Sequence, residues 1–399
     1  MPTPSLLIVP ARFKTGKLYS QIPTSGAGDF TVTRNTAARR FDSAGLVASV
    51  ASGIPRLDYY TSGGVTGCPA LLVEPAATNA LSYSEEFDNA AWGKSAMTVS
   101  TGTTALFTAP DGTTNADKII ATSGNVAHNI NRSGIASAAY TFSVFAKAGE
   151  ESVISLWLRG ASVRAEFNLV SGTVSNITTT SARIENYGNG WYRCTVYDST
   201  AGTTAHVYGR GGAAYAGNGS DGFYLWGAQL ETGSVATSYI PTTTGTGSRS
   251  ADVISVSGAV SGSIGQTEGT IYLEVDAANA SSQFFRINAG VTNAIHIYKN
   301  ASDRYQVRIY PSASFIDLTD TSAKSGFVKI AIAYKSGETA LVINGGTPIT
   351  SATAYSFSAA LRTVNFLGGV EGVLPARIRA AALYTTRLNN AELATLTTP

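Results

Sequence analysis

The chain has 399 residues, of which 44% are hydrophobic and 14% are charged, with 28 Lys and Arg against 26 Asp and Glu. This length suits two or three domains of roughly 100–200 residues, and the hydrophobic content excludes a disordered chain. The positive and negative charges nearly balance, and the sequence contains no basic stretch of the kind that binds nucleic acid. We therefore expect no nucleic-acid partner.

The remaining composition favours short strands joined by tight turns, since the chain holds 41 Gly and 19 Tyr. Cys68 and Cys194 stand far apart without metal-type spacing, which predicts free buried thiols and no disulfide framework. No run of about 18 apolar residues occurs, so we expect no membrane insertion. Residues 6–9 form a short apolar run with no basic residue before it, which argues against a secretory signal and predicts synthesis in a cytoplasm.

Residues 1–75 differ from the rest because prolines punctuate short pieces such as Phe30–Val32 and Leu46–Val50. A segment of this kind has little apolar surface with which to close a core alone. The pattern predicts an extended N-terminal arm that orders against a neighbour. The alternative is that these residues add strands to the domain that follows.

Residues 76–245 carry a series of segments in which apolar and polar residues alternate. The clearest are Tyr140–Lys147, Val153–Arg159, Ala165–Leu169, Trp191–Tyr197, Thr204–Arg210 and Phe223–Glu231. Turns rich in Gly, Ser and Asn separate them. Regular strands of this length predict an antiparallel β-sandwich.

Residues 222–253 pass from the last of these strands into a stretch rich in Thr, Gly and Ser, which predicts a seam between two domains. Residues 246–399 then alternate again, with strands at 271–276, 305–310 and 328–334, a hairpin at 339–346 and a short helix from Asn389 to Leu396. The predicted fold class is all-β, with two tandem antiparallel β-sandwiches (jelly rolls) preceded by an extended N-terminal arm.

Ten short segments between residues 28 and 242 form a recognisable series. They are Gly28–Phe30, Pro55–Tyr59, Leu71–Pro75, Thr78–Leu81, Tyr83–Trp92, Ala109–Thr113, Phe142–Gly149, Asn189–Arg193, Gly227–Glu231 and Ala236–Thr242. This series resembles a group of tailed-bacteriophage virion proteins described as tail fibre, tail spike or minor structural proteins.

The resemblance implies a carbohydrate-binding-module-like jelly roll in residues 76–245. Residues 246–399 are similar to a laminin-G or concanavalin-like lectin sandwich, through Gly269–Tyr272, Leu341–Gly345, Ile378–Tyr384 and Leu388–Leu393. It also implies a homotrimer on the exterior of a virion (tail or capsid), with residues 1–75 docking on other virion proteins. No acidic and asparagine cluster typical of calcium-dependent lectins occurs, so neither a metal nor a cofactor is expected.

Catalytic motifs are lacking in the sequence. His128, His206 and His296 stand outside any recognisable nucleophile motif. The neighbouring carboxylates Glu150 and Glu151 are typical of a solvated surface rather than a glycosidase pair, because adjacent residues point apart. We therefore expect a protein that is not an enzyme.

Aromatic residues paired with arginines favour glycan binding, because sugar C–H faces lie on rings and sugar hydroxyls accept hydrogen bonds. Three pairs stand two residues apart: Trp157 with Arg159, Trp191 with Arg193, and Tyr208 with Arg210. Should their strands share a sheet, they would form one platform; the alternative is that the aromatics are core or rim residues. Tyr298, Arg308 and Tyr310 form a second set of the same type.

These observations predict a phage fibre or receptor-binding protein that attaches to the particle through its N-terminal arm and binds host surface polysaccharide through its sandwiches. One alternative is a purely structural capsid-decoration or head-fibre protein that binds other virion proteins. A polysaccharide depolymerase is a further alternative, which the lack of a parallel β-helix repeat disfavours.

Overall fold

The structure is a computed structural model that describes residues 2–399 except 61–65, 160–162, 279–281, 291, 313–314 and 368–373. Nearly all of the regular secondary structure of the described residues is antiparallel β-strand, which confirms the all-β class. They build two sandwiches. We call them the terminal sandwich (residues 2–75 and 250–399) and the inserted sandwich (residues 76–249).

Two large sheets face each other in the terminal sandwich. In the described residues one sheet contains, in spatial order, Ile349–Ser351, Thr339–Ile343, Val328–Lys335, Glu268–Ala277, Ala376–Tyr384, Thr66–Val73 and Arg56–Tyr60, with Leu6–Ile8 also paired to Ala376–Tyr384. The other contains Phe13–Lys14, Lys17–Leu18, Phe30–Thr33, Val253–Ser257, Thr363–Leu367, Ser282–Asn288, Ala294–Lys299, Tyr305–Tyr310 and Ile316–Thr319.

The inserted sandwich is also formed by two sheets. The first contains Gly93–Ser95, Asn129–Arg132, Ala205–Gly209, Val153–Leu158, Arg164–Asn168 and Thr173–Ser175. The second contains Met97–Ser100, Asp117–Ala121, Gly222–Thr232, Tyr140–Ala148, Trp191–Tyr197 and Ser181–Asn186. The predicted alternation is seen in the strand Val153–Leu158. Its apolar residues Ile154, Leu156 and Leu158 are buried between the sheets, as expected for one face of the strand.

The remaining elements are short. Three two-stranded ribbons pair Ala38–Phe41 with Val47–Val50, Ala77–Asn79 with Gly247–Arg249, and Gly124–Val126 with Tyr215–Gly217. Turns of 3₁₀ helix lie at Ala105–Phe107, Arg210–Gly212 and Ala259–Ser263, and one α-helix is described, at Asn390–Thr397. The predicted helix near the C-terminus is confirmed, and the Asn389 side chain caps it by accepting from the Glu392 amide at 3.0 Å.

Residues 2–60 and 66–75 do not form an extended arm, so that prediction is wrong. Their strands enter both sheets of the terminal sandwich, and Leu6 stands opposite Leu383 in the ladder. Leu6, Ile8, Phe30 and Val32 are almost completely buried in its core. Burying each such side chain contributes roughly 1.5–3 kcal/mol, which keeps these strands in the sheet. The alternative of added strands was nearer, but the strands join the C-terminal half rather than the following domain.

The two sandwiches are therefore nested in sequence rather than consecutive. The last strand of the terminal sandwich before the insertion ends at Val73, and the first strand after it begins at Val253. At the crossing, Ala77–Asn79 pairs with Gly247–Arg249. The Asn79 amide donates to the carbonyls of Ala228 and Ile240, each at 3.0 Å, and so fixes the outgoing chain beside the returning one.

A buried network of charged groups joins the sandwiches at this crossing, and we call it the junction network (Arg34, Arg56, Glu74, Ser238, Arg249 and Asp252). Arg56 donates to Glu74 at 2.6 Å and also to Asp252. Arg34 reaches the other oxygen of Asp252 at 3.0 Å, and Arg249 lies 3.1 Å from Glu74. The predicted seam at residues 222–253 thus supplies groups that hold the two bodies together.

Cys194 is buried as predicted, whereas Cys68 is exposed, which corrects the expectation of two buried thiols. Burial raises the pKa of the Cys194 thiol well above its usual value, so it remains protonated. No helix among the described residues is long and apolar enough to cross a membrane.

Candidate functional site

The three aromatic and arginine pairs of the inserted sandwich do not form one platform, which corrects that prediction. Trp157 and Tyr208 lie in one sheet, whereas Trp191 and Arg193 lie in the opposite sheet. Trp191 is 2% exposed, and its indole donates to the Thr108 carbonyl at 2.9 Å. Trp191 is therefore a packing residue, as the alternative proposed.

Trp157 is also shielded from solvent. Its ring stacks on Tyr208 with centroids 4.0 Å apart, and its indole donates to Ser155. A Cβ on Gly212 would lie 2.3 Å from the Trp157 ring, which shows how closely the 210–212 turn covers it. Tyr208 remains half-buried, but no free face of Trp157 is available to a sugar.

Arg159 and Arg210 leave their aromatic partners because the strands end at Leu158 and Gly209. Both arginines have positive φ, 52° and 44°, which turns the side chain away from the strand face. Arg159 pairs with Asp198 at 2.9 Å, and Arg210 pairs with Glu151 at 2.5 Å. Spacing by two places side chains on one face only while the strand continues.

The second predicted set behaves differently, because Tyr298, Arg308 and Tyr310 come together on the outer face of the terminal sandwich. Their strand neighbours Ile297, Val307 and Ile309 point into the core. Arg308 lies in the ladder opposite His296 on one side and Asp317 on the other. We call this surface the outer-face platform (Arg286, His296, Tyr298, Gln306, Arg308, Tyr310, Phe315, Asp317 and Asn365).

Arg308 is at the centre of the outer-face platform. Its guanidinium carbon lies 5.3 Å from the Tyr298 ring centroid and 4.8 Å from that of Phe315. Its Nε donates to Asp317 at 3.0 Å, and Asp317 also accepts from Gln306. Phe315 is 48% exposed, so its ring remains accessible. The arrangement places an aromatic face beside a fixed charged donor.

Hydroxyl and imidazole groups continue the platform. The Tyr298 hydroxyl lies 2.9 Å from His296 Nδ1 and 3.4 Å from the Tyr310 hydroxyl. The Tyr310 ring packs 4.9 Å from His296 and 5.3 Å from Phe315. Burial and the Tyr310 hydroxyl raise the pKa of Tyr298, so this phenol remains a protonated donor and acceptor.

Two polar atoms of the platform lack a hydrogen-bond partner among the described residues, His296 Nε2 and Arg286 Nε. Burial, followed by the charges of Arg286 and Arg308, lowers the pKa of His296 to about 4. The imidazole is therefore neutral at pH 7. With Nδ1 engaged by Tyr298, Nε2 is left without a partner among the described residues.

Sequence reasoning missed most of the platform. His296 has the parity of Tyr298, so alternation along residues 294–299 was a signal that could have found it. Arg286 and Asn365 belong only because their strands pair with that one, Arg286 opposite His296 and Asn365 opposite Arg286. The register between strands that are far apart in the sequence cannot be predicted from local periodicity.

The described part of the chain contains no cluster of side chains that could bind a metal ion. No three His, Cys, Asp or Glu side chains there are grouped so as to hold an ion. The platform itself carries one carboxylate among its described residues, Asp317, which Arg308 and Gln306 already engage.

Comparison with known proteins gives only distant likenesses. No protein-family model and no curated protein matches the chain. Among solved structures, a sialidase CBM40 domain of Ruminococcus gnavus bound to α2,3 sialyllactose has a TM-score of 0.29 at 16% identity, covering 34% of this chain and 84% of that one. The binding domain of botulinum neurotoxin DC with rat synaptotagmin II gives 0.30 at 12% identity, covering 37% and 39%. A pentraxin of Limulus polyphemus gives 0.26 at 12% identity, covering 32% and 68%.

Proposed function

We propose that this chain is a non-enzymatic carbohydrate-binding protein and that the outer-face platform holds the glycan. The observation that carries the proposal is the unsatisfied polarity of an aromatic surface. Phe315 and Tyr310 offer rings, while His296 Nε2 and Arg286 Nε lack partners among the described residues. Sugar C–H faces pack on rings of this kind, and sugar hydroxyls both donate and accept.

Binding is favoured over catalysis by the state of the carboxylate. Asp317 is held by Arg308 at 3.0 Å, and glycoside cleavage needs two carboxyl groups that flank the bond. His296 is neutral but is fixed by Tyr298 at 2.9 Å rather than poised against a nucleophile. These contacts support a fixed recognition surface.

The biological setting that we propose follows from the resemblance to tailed-phage virion proteins. Here the glycan is a host surface polysaccharide, and the chain, as a homotrimer on the virion exterior, attaches the particle to the cell. The folded state of residues 2–60 and 66–75 changes how docking would work. Contact with other virion proteins would use a face of the terminal sandwich rather than a free arm.

The glycan proposal is tested on an array of bacterial surface polysaccharides. Tyr310→Ala and Arg308→Met should each weaken binding by about tenfold or more, as expected for loss of a ring contact or a charged hydrogen bond. Tyr208→Ala is the matched control, since it removes a half-buried tyrosine from an outer strand face of the inserted sandwich. Equal binding by all three variants and the parent would contradict the proposal.

The attachment role has a separate test. Purified chain should block adsorption of the virus that encodes it when host cells are pre-incubated with it, and the Arg308→Met variant should block less. Sugar binding without any competition for adsorption would leave the platform intact and overturn the attachment role. The absence of sugar binding, together with antibody labelling of particles, would instead favour a decoration protein.

A further inference from the structure

A cavity lies between the two sandwiches. It has a volume of about 1100 Å³, above the roughly 300–1,000 Å³ of small-molecule pockets. Phe41 and Tyr60 of the terminal sandwich meet Tyr187 of the inserted sandwich there, with ring centroids 5.1–5.6 Å apart. We call it the inter-sandwich cleft. Ligand sites occur preferentially at such domain interfaces.

One wall is the outer face of the inserted sandwich. Along the strand Trp191–Tyr197, Cys194 and Val196 enter the core, so Arg193 and Thr195 face the cleft. In the adjacent strand Arg183 stands opposite Thr195. The period of two thus places a row of polar side chains on this wall.

The opposite wall comes from the terminal sandwich. Arg377 pairs with Asp58 at 2.5 Å and lies 5.1 Å from the Tyr60 ring. Arg379, two residues further along the same strand, packs its guanidinium 3.6 Å from the Phe327 ring centroid. Arginines of both sandwiches therefore line the cleft.

Three buried polar atoms that line the cleft lack a hydrogen-bond partner among the described residues. They are Arg193 Nε, Arg379 Nε and Thr195 Oγ1. Arg193 is 3% exposed and Thr195 is 8% exposed, so neither group is well hydrated in the folded protein. Leaving such donors unpaired is costly, and an acceptor-rich ligand would satisfy them.

The excess of positively charged residues in the cleft lining also favours a ligand that carries hydrogen-bond acceptors. Its described residues include six arginines against four Asp and Glu. Arg39, Arg40 and Arg193 donate to the backbone carbonyls of Val47, Leu57 and Thr237, and none of the three forms a salt bridge within the described part of the chain. Their positive charge is therefore not neutralised by a carboxylate contact.

We propose that the inter-sandwich cleft binds a carboxylate-bearing oligosaccharide. Its carboxylates would pair with the arginines of both walls, its hydroxyls with Thr195 and Arg193 Nε, and its C–H faces with the tyrosines. The volume and the two walls fit several sugar rings rather than one. This site is separate from the outer-face platform and does not depend on sugar binding there.

The test uses calorimetric titration of the full chain with three acidic probes: a hexamer of galacturonic acid, a hyaluronan hexasaccharide and a sialylated lactose. Carboxyl-reduced galacturonate hexamer is the neutral counterpart. Arg379→Met keeps the packing over Phe327 and should weaken binding about tenfold. Thr195→Val removes a hydroxyl without a partner, so it should leave the fold intact while weakening binding about threefold.

The matched control is Arg164→Met, because Arg164 lies 5.2 Å from the Trp157 ring in a comparable stack outside the cleft. Binding should be unchanged in Arg164→Met and weaker at high salt. The proposal is overturned if no acidic probe binds, if the neutral hexamer binds equally well, or if the cleft variants bind like the parent. Loss in Tyr310→Ala alone would assign the sugar to the platform and leave the cleft without a ligand.

Discussion

Arg56 Nη1 lies 2.6 Å from Glu74 Oε2, and both side chains are almost completely shielded from solvent. Burial alone would raise the pKa of Glu74, but the attraction of Arg249 and Arg56 outweighs it and holds that pKa well below its usual value. The two residues lie in two of the segments that carry the phage resemblance, Pro55–Tyr59 and Leu71–Pro75. These segments therefore build the junction between the sandwiches.

Removing one member of this buried pair should strongly destabilise the protein. Glu74→Gln leaves Arg56 and Arg249 without a full countercharge, and we expect a loss of roughly 3–5 kcal/mol in the free energy of unfolding. The measurement is urea denaturation followed by tryptophan fluorescence. Glu338→Gln is the control, since its side chain is 58% exposed and its ion pairs are surface pairs worth about 0–1 kcal/mol. Similar losses in both variants would contradict the role of the junction network.

Glu74 should also affect how steeply the stability of the protein falls at acid pH. Its unfolded pKa is 4.5 and its folded pKa is lower, so the unfolded state binds more protons between the two values. The stability that Glu74 contributes is thus complete above about pH 5 and is lost as the pH falls towards the folded pKa. Melting temperatures from pH 7 to pH 3 should decline more steeply for the parent than for Glu74→Gln. Parallel curves would show that Glu74 keeps an ordinary pKa.

His296 predicts a different pH response on the outer-face platform. Because its pKa is about 4 when folded and 6.5 when free, the imidazole stays neutral in the folded protein down to about pH 4. Glycan affinity should therefore be constant between pH 8 and pH 5. The unfolded chain takes up the proton first, so His296 lowers stability as the pH falls from 6.5 to 4.

Affinity and stability are checked together by titrating glycan at several pH values and repeating the melts with His296→Gln. The variant should flatten the stability change between pH 6.5 and pH 4. A midpoint for glycan binding near pH 6.5 would contradict the buried, neutral imidazole.

Asp117 should have the opposite effect to His296 on the pH dependence of stability. Burial, together with the nearby charges of Asp88 and Glu86, outweighs the hydrogen bond from the Phe87 amide and raises the pKa of Asp117 to about 7. The folded state then binds more protons than the unfolded state between pH 3.8 and 7, so this group lowers stability as the pH rises. The free energy of unfolding of Asp117→Asn, measured by chemical denaturation, is compared with that of the parent at each pH. The difference in favour of the variant should be larger at pH 8 than at pH 4. An equal effect of Asp117→Asn at pH 8 and pH 4 would contradict the raised pKa of Asp117.

The burial of Trp157 can be tested through the glycine that covers it. Gly212 has φ +83° and a Cβ there would meet the ring at 2.3 Å, so Gly212→Ala should cost roughly 2–4 kcal/mol from strain and overpacking together. Gly219→Ala has a similar φ of +78° with open space around it and should cost only about 1 kcal/mol. Thermal melts compare the two. Equal costs would mean that the 210–212 turn does not pack on Trp157.

The candidate site shows how far local pattern extends. Alternation along residues 305–310 correctly placed Arg308 and Tyr310 on one face. It failed at Arg159 and Arg210, because the strands end one residue earlier and the backbone turns to positive φ. Strand ends depend on where the partner strand stops, and that information lies elsewhere in the chain.

Local sequence was enough to predict the all-β class, the face that most strands present to a core and the capped helix after Asn389, because each depends on residues within a few positions of one another. The tertiary structure alone decided that Leu6 pairs opposite Leu383, that one sandwich is inserted into the other, and that arginines of both bodies meet in one cleft. Period two states which side of a strand is apolar but not which strand lies beside it. Pairing between residues hundreds of positions apart is selected by burial of the whole core.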